Sequence, residues 1–298
     1  MNTDFIKGII PPIVTPITED EKFDEGAMRN QIDFMIAGGI SGILAFGSNG
    51  EFYMLEEDEM ENILRVILDQ VKGRLPVYMG VGAIRTSKAA ALARMGVRLG
   101  AQGVSVLQPM FLKPAEDELV THFRTIAAAV GDTPVLLYNN PGRTGYPISQ
   151  AVVETLAHSV PNIVGMKDSS GDLTETMEFI RRNRDTGFKV LVGKDSLIYP
   201  GLAVGAVGAV CTTANFLPDL VCSIYAKFAA GDRDGSLAAQ YRLNPIRLMM
   251  DKSSFPVATK DYANLRQHPV GKPFLPNKPS PQAQMENLRK ELEKAGLL

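Results

Sequence analysis

The sequence predicts an α/β protein, a (β/α)8 barrel with a C-terminal helical appendage, and three features of its 298 residues predict it. Short apolar runs alternate with longer stretches of helical period, and eight such units occur, the number that closes a parallel TIM barrel. The runs are apolar on both alternations, as strands are when one face fills a barrel and the other meets helices. The length suits one barrel of about 250 residues with an addition. A doubly wound open sheet competes, but it usually has about five or six strands, and no GxGxxG follows the first run.

The first run is Gly8 to Pro16 (GIIPPIVTP), followed by a helical stretch from about Glu25 to Ala37. The second, Gly42 to Gly47 (GILAFG), precedes a helix from Glu56 to Val71. The third, Val77 to Val81, precedes Ser87 to Leu99; the fourth, Val104 to Pro109, precedes Ala115 to Val130. The fifth, Val135 to Asn140, leads to Ser149 to Ala157, and the sixth, Ile163 to Lys167, to Leu173 to Asn183. The seventh, Lys189 to Gly193, precedes a short stretch from Leu197 to Ala203, and the eighth, Ala206 to Thr213, precedes Pro218 to Ala229. After about Ala230 the strand pattern stops. Asp232 to Asp251 and Gln282 to Ala295 read as helices, with a Pro-rich connection from Pro269 to Pro281 between them. The expected organisation is a barrel over residues 1–230 that carries the chemistry and a helical region over 231–298 that is not an independent domain.

Composition narrows the function classes. Apolar residues make up 45% and the net charge is −2 with mixed signs, so neither a nucleic-acid surface nor an anionic membrane partner is expected. Cys211 and Cys222 form no CxxC and no disulfide framework. The first residues, MNTDFIKGII, do not read as a secretion signal, and no apolar run nears the roughly 18 residues of a membrane span. A cytoplasmic location is expected.

In barrels of this kind the active site lies at the C-terminal ends of the strands. Strand two ends in Gly47-Ser48-Asn49-Gly50-Glu51 and strand five in Tyr138 to Gly145. Strand six ends in Lys167-Asp168-Ser169-Ser170-Gly171, strand seven in Gly193-Lys194-Asp195, and strand eight near Thr212-Thr213. Lys167 follows an apolar run, so its ammonium sits at the mouth of an apolar barrel, where desolvation disfavours the charged form. A neutral amine is what attack on a ketone requires. Most strand-end lysines are merely solvated, and Lys194 is a rival by the same rule, although Asp195-Ser196 after it looks like a helix start. The Ser48-Asn49 turn offers backbone N–H groups, a hydroxyl and an amide to a carboxylate, or is an ordinary turn. Tyr138 is either core or a proton carrier, and Arg143 either a carboxylate clamp or a surface ion-pair partner.

His122, His158 and His268 are scattered, and no His/Asp/Glu cluster has metal-ligand spacing. Neither a GxSxG elbow nor a P-loop occurs. Cys211, inside a buried strand, reads as packing and not as a nucleophile.

Three segments in register then carry a resemblance running from about Gly8 to the end of the chain. GSNGE resembles G-[ST]-T-G-E, YNNPGRTG resembles Y-N-x-P-x-x-[ST]-G, and GMKDSSGD resembles G-[IV]-K-[DE]-[ST], all motifs of the dihydrodipicolinate synthase / N-acetylneuraminate lyase family of pyruvate-dependent class I aldolases. The resemblance implies that Lys167 forms a Schiff base with pyruvate. Tyr138 would pass protons, and the Ser48-Asn49 turn would hold the pyruvate carboxylate. Gly47, Arg143, Val210 and Thr212 complete the expected substrate-binding set. It implies no metal or diffusible cofactor, small-molecule partners only (pyruvate with an aldehyde, or a 2-keto-3-deoxy acid), and a homotetramer.

Departures bear on the substrate. Asn49 stands where the family usually has Thr. Phe111 stands where a tyrosine often enters a neighbouring subunit's site as part of a proton relay, so that relay is broken or rebuilt. Arg143 matches the arginine that synthases use for the aldehyde's carboxylate and speaks against sialic acid. KDSSGD is also common in aldolases and dehydratases of 2-keto-3-deoxy sugar acids, the alternative function. Glu57, Met60, Ile84 and Lys88 occupy the positions of the regulatory lysine pocket and lack its polar match, so lysine feedback is not expected. A non-catalytic 2-oxo-acid sensor would show damage at Lys167 or Tyr138, which is absent. A phosphate-binding isomerase would want a better phosphate site than Gly193-Lys194-Asp195.

Overall fold

A computed structural model describes residues 2–298. Eight parallel strands, β1 (Gly8–Ile9), β2 (Ile43–Ala45), β3 (Val77–Val81), β4 (Gly103–Leu107), β5 (Val135–Asn139), β6 (Ile163–Asp168), β7 (Lys189–Val192) and β8 (Gly208–Ala209), follow one another around a single sheet. The ring closes between β1 and β2 through a parallel bridge of Pro12 with Leu44, where Ile13 N donates to Leu44 O at 3.0 Å. This is the expected (β/α)8 barrel.

Alternation along each strand builds two apolar layers. Ile10, Leu44, Tyr78, Leu136, Leu191 and Val210 fill the inside of the barrel. Their chain neighbours Ile43, Ala45, Leu137, Val190 and Val192 face the helices and belong to the main core. A strand buried on both faces reads as a continuous apolar run, which is why the runs are visible in the sequence.

Among the described residues twelve α-helices follow in chain order: α1 (Glu25–Ala37), α2 (Glu57–Val71), α3 (Thr86–Leu99), α4 (Glu116–Ala128), α5 (Pro141–Thr144), α6 (Gln150–Ser159), α7 (Leu173–Asn183), α8 (Ile198–Ala203), α9 (Pro218–Ala229), α10 (Arg233–Met250), α11 (Val257–Leu265) and α12 (Gln282–Lys294). Side-chain caps set several starts. Asp24 accepts from Ala27 N, Ser149 from Val152 N, and Asp172 from Thr174 N and Glu175 N.

The first and eighth strands are shorter than the runs predict. Pro11 and Pro12 have no N–H to give a ladder, so regular pairing in β1 stops at Ile9. At Gly208 the two strands approach so closely that an added Cβ would lie 2.1 Å from Gly8 O. Helix α11 is absent from the sequence reading. Every residue from Val257 to Ala263 is buried, so it shows none of the one-sided periodicity by which a surface helix is recognised. The helices after residue 230 pack onto the barrel: Ser236 Oγ donates to Ile224 O at 2.7 Å, and Gln240 Nε2 to Asp195 O at 3.0 Å. No helix among the described residues is long and apolar enough to cross a membrane.

Candidate active site

Parallel pairing of β5 with β6 sets Tyr138 beside Lys167 and Asn139 beside Asp168. Side chains alternate between the faces, so the first pair points into the barrel mouth and the second away from it. The outward pair is tied down. Asp168 accepts from Asn139 Nδ2 at 2.9 Å, from Ser170 Oγ at 3.0 Å and from Thr176 Oγ1 at 2.6 Å. That network fixes the end of β6 and with it the direction of Lys167.

Lys167 is 4% exposed and Tyr138 5%. The ammonium lies 4.0 Å from the centroid of the Tyr138 ring, and among the described residues no carboxylate is within ion-pair distance of it. The Tyr138 hydroxyl accepts from Asn140 Nδ2 at 2.8 Å and lies 3.5 Å from Ser48 Oγ. Burial pushes the phenol up, but the Lys167 ammonium and the hydrogen bonds from Ser48 and Asn140 outweigh it and hold the group below the ordinary phenol value.

The Ser48–Gly50 segment is a single 3-10 turn. Asn49, 4% exposed, donates from Nδ2 to Thr212 Oγ1 at 2.8 Å and accepts at Oδ1 from Thr259 Oγ1 at 2.9 Å. Thr212 and Thr213 are held by Asp195, which accepts from Thr213 N and Thr213 Oγ1, each at 2.6 Å.

These groups open onto a cavity of about 360 Å³ at the C-terminal mouth of the barrel. Lys167, Tyr138, Asn49, Thr212 and Arg143 all reach its wall. Ser48 stands behind Tyr138 and touches the site through the phenol. Gly47 and Val210 lie below the wall. An added Cβ at Gly47 would meet Pro12 Cβ at 2.9 Å, and Val210 belongs to the apolar filling of the barrel. Lys194 also lines the cavity, half-buried at its rim, immediately before a 3-10 turn that starts at Asp195. Arg143 lies in α5 with its guanidinium 4.2 Å from the Phe255 ring centroid, a cation–π contact that aims it across the opening.

Sequence reasoning assigned no role to Asn140, Arg247 or Thr259, which also line the cavity. Asn140 was within reach, lying between Tyr138 and Arg143 in one segment. The other two come from the C-terminal region, where no local pattern connects them to a strand end. Phe111 is 98% exposed, with φ at 73°, a left-handed conformation that strains a side chain of its kind. Glu57, Met60, Ile84 and Lys88 converge on a second hollow of about 350 Å³, where Lys88 pairs with Glu57 at 3.3 Å. Among the described residues no three His, Cys, Asp or Glu side chains are grouped to hold a metal ion.

A parallel barrel with a buried lysine and phenol side by side at the mouth of such a cavity has the architecture of an aldolase-type lyase of class I. The sequence pattern of the dihydrodipicolinate synthetase family matches residues 5–295. The chain belongs to that family, whose members are pyruvate-dependent class I lyases, and it is an enzyme of this type. The 4-hydroxy-tetrahydrodipicolinate synthase of Methanopyrus kandleri is 34% identical over 294 residues, which cover 98% of this chain and 97% of that one. The enzyme of the same name from Thermus thermophilus is 36% identical over 296 residues, with 98% and 97% covered. Two solved structures show the same fold. The dihydrodipicolinate synthase of Thermotoga maritima superposes with a TM-score of 0.95 at 26% identity, covering 99% of this chain and all of that one. A prophage protein of this family from E. coli K12, in complex with pyruvate, gives 0.94 at 30% identity, with 98% and 99% covered.

Proposed function

We propose that the enzyme condenses pyruvate with an aldehyde that itself carries a carboxylate, the type of reaction for which its curated relatives are named. The observation that carries this reading is the buried Lys167 amine beside the Tyr138 phenol on the wall of the cavity. Neutral Lys167 attacks the pyruvate ketone, and water leaves as the imine forms. The Tyr138 phenol gives its proton to the departing hydroxyl, and the phenolate so formed takes a methyl proton to leave an enamine, with the iminium nitrogen as electron sink. The enamine carbon attacks the aldehyde, Tyr138 delivers a proton to the new alkoxide, and water releases the product and restores the amine. The Asn49 amide and the adjoining turn hold the pyruvate carboxylate. Arg143, at the opening, takes the carboxylate of the aldehyde.

The test is borohydride trapping with pyruvate, read by intact mass and peptide mapping. An adduct on Lys167 is expected; an adduct on Lys194, or none, ends the reading. Tyr138→Phe removes the proton carrier but keeps the ring against Lys167, so turnover should fall by about 10²-fold with the fold intact. Unchanged turnover in that variant would remove Tyr138 from the mechanism.

A second reading, release of pyruvate from a 2-keto-3-deoxy sugar acid, draws on Asn49 and Phe111 in place of Thr and Tyr. The two part at Arg143. In the condensation, Arg143→Met should raise KM for a carboxylated aldehyde by roughly tenfold to a hundredfold, the loss of one charge-assisted pair, and leave a neutral aldehyde unaffected. A variant that treats both aldehydes alike, with turnover of keto-deoxy acids intact, would favour the second reading.

A homotetramer is part of the proposal. It is supported by exposed apolar side chains, Tyr53 and Ile84 on the wall of the second hollow and Phe111 and Leu112 directly after Met110 of that wall, the kind of surface that contacts between subunits cover. Light scattering of the intact protein checks it, and a mass of one 32.4 kDa chain would refute it. A cytoplasmic location belongs to the same proposal and is supported by Cys211 and Cys222 as buried free thiols. Fractionation of the native cell tests it.

A further inference from the structure

We infer that Thr259, on a helix of the C-terminal region, is a positioning residue for recognition of the substrate carboxylate and acts through Asn49. The inference rests on the reading of the Asn49 turn as the carboxylate holder. An asparagine amide has two unlike ends, and only its NH2 end attracts a carboxylate. Where Asn49 stands, the amide is buried between two hydroxyls: Thr212 Oγ1 at 2.8 Å from Nδ2 and Thr259 Oγ1 at 2.9 Å from Oδ1. The Thr259 hydroxyl supplies the donor for the carbonyl end. The NH2 end, with a second hydrogen to spare, is thereby left to Thr212 and the cavity.

Without that donor the carbonyl oxygen has no partner in its buried setting, and the amide gains by turning it toward the opening. There it would meet a carboxylate oxygen with an oxygen and repel it. A threonine at position 49 would not need this support, because a hydroxyl rotates to suit its ligand. Asn49 and Thr259 therefore form a pair.

The helix that carries Thr259 is pinned to the same turn at a second point. Lys260 Nζ lies 2.7 Å from Glu51 Oε2, both side chains fully buried, and Phe274 N donates to Glu51 Oε1 at 3.0 Å. Thr259 is itself 1% exposed, so its contact with Asn49 is sheltered although the residue borders the cavity. The C-terminal region thus sets the direction of a donor on a loop 210 residues away in sequence.

The test measures borohydride trapping on Lys167 as a function of ketone concentration, with pyruvate and with hydroxyacetone, a neutral ketone of similar size. The proteins are wild type, Thr259→Ser, Thr259→Val, Thr259→Ala, Asn49→Thr, and Thr259→Val combined with Asn49→Thr. For pyruvate, the half-saturating concentration should rise about tenfold in the Val and Ala variants and stay within about twofold in the Ser variant. The limiting trapping rate, and the hydroxyacetone curve, should not move. With threonine at position 49, adding Thr259→Val should produce no further rise, the coupling expected of a contacting pair. Three results would overturn the inference: an unchanged pyruvate requirement in both hydroxyl-free variants, an equal rise for hydroxyacetone, or an undiminished effect beside Asn49→Thr. A wild-type enzyme that traps no pyruvate on Lys167 shows, before any variant is made, that the Schiff-base reading itself has failed, and the inference falls with it.

Discussion

Lys167→Ala is expected to abolish the pyruvate adduct and to lower turnover by about 10³-fold or more, because it removes the atom to which the proposed mechanism assigns the covalent intermediate. Lys167→Arg should do the same. A guanidinium keeps the positive charge beside Tyr138 but cannot lose its proton to become a nucleophile, so the pair of variants separates covalent chemistry from electrostatics. The alanine variant should fold. Among the described residues Lys167 is in no ion pair, and its loss leaves the Tyr138 hydroxyl bonded to Asn140 at 2.8 Å. Mass spectrometry after borohydride, with steady-state kinetics on the same samples, reads the outcome. Wild-type-like adduct yield in Lys167→Ala, mapping to Lys194 at the rim of the same cavity, would overturn the assignment.

That Lys167 could be placed at the barrel mouth from the sequence follows from how barrels present their strand ends, although the same rule offers Lys194 and only the resemblance to the family's lysine segment prefers Lys167. Strand ends are marked by the last residue of an apolar run, and the side chains there share one opening. Tyr138, Asn49, Arg143 and Thr212 were legible for the same reason, and all four reach the cavity. Val210 and Gly47 lie one layer below the cavity wall, because the rule says which end of a strand faces the site but not which residue is still above the packed interior. The shortness of β1 was also in principle visible, since Pro11 and Pro12 cannot donate to a ladder. Helix α11 was not, because a helix buried on all sides has no polar face to give a period. What it contributes is illegible too. Thr259 meets Asn49 only through tertiary packing, and no local spacing encodes a contact between the second strand's loop and a helix near the end of the chain.

The same contact region yields the largest expected effect on stability. Glu51 and Lys260 are both 0% exposed and 2.7 Å apart, with Lys260 also donating to Lys272 O at 2.8 Å. Burial holds the lysine below its usual range, and the Glu51 carboxylate offsets that only in part. A pair like this contributes little net stability as a pair, because desolvation of two charges cancels most of their attraction. Breaking it is another matter. Lys260→Met keeps most of the volume but leaves a buried carboxylate with only the Phe274 N–H, and should cost about 3–5 kcal/mol. For a chain of this length that corresponds to a fall in Tm of roughly 5–8 °C by scanning calorimetry. Adding Glu51→Gln to Lys260→Met should recover part of the loss, since a neutral amide oxygen still accepts from Phe274 N without the stranded charge. The order wild type, double variant, Lys260→Met is therefore expected. A single variant that melts within a degree or two of wild type would mean that water reaches Glu51, and that the clamp between the C-terminal region and the Asn49 turn is not a buried one.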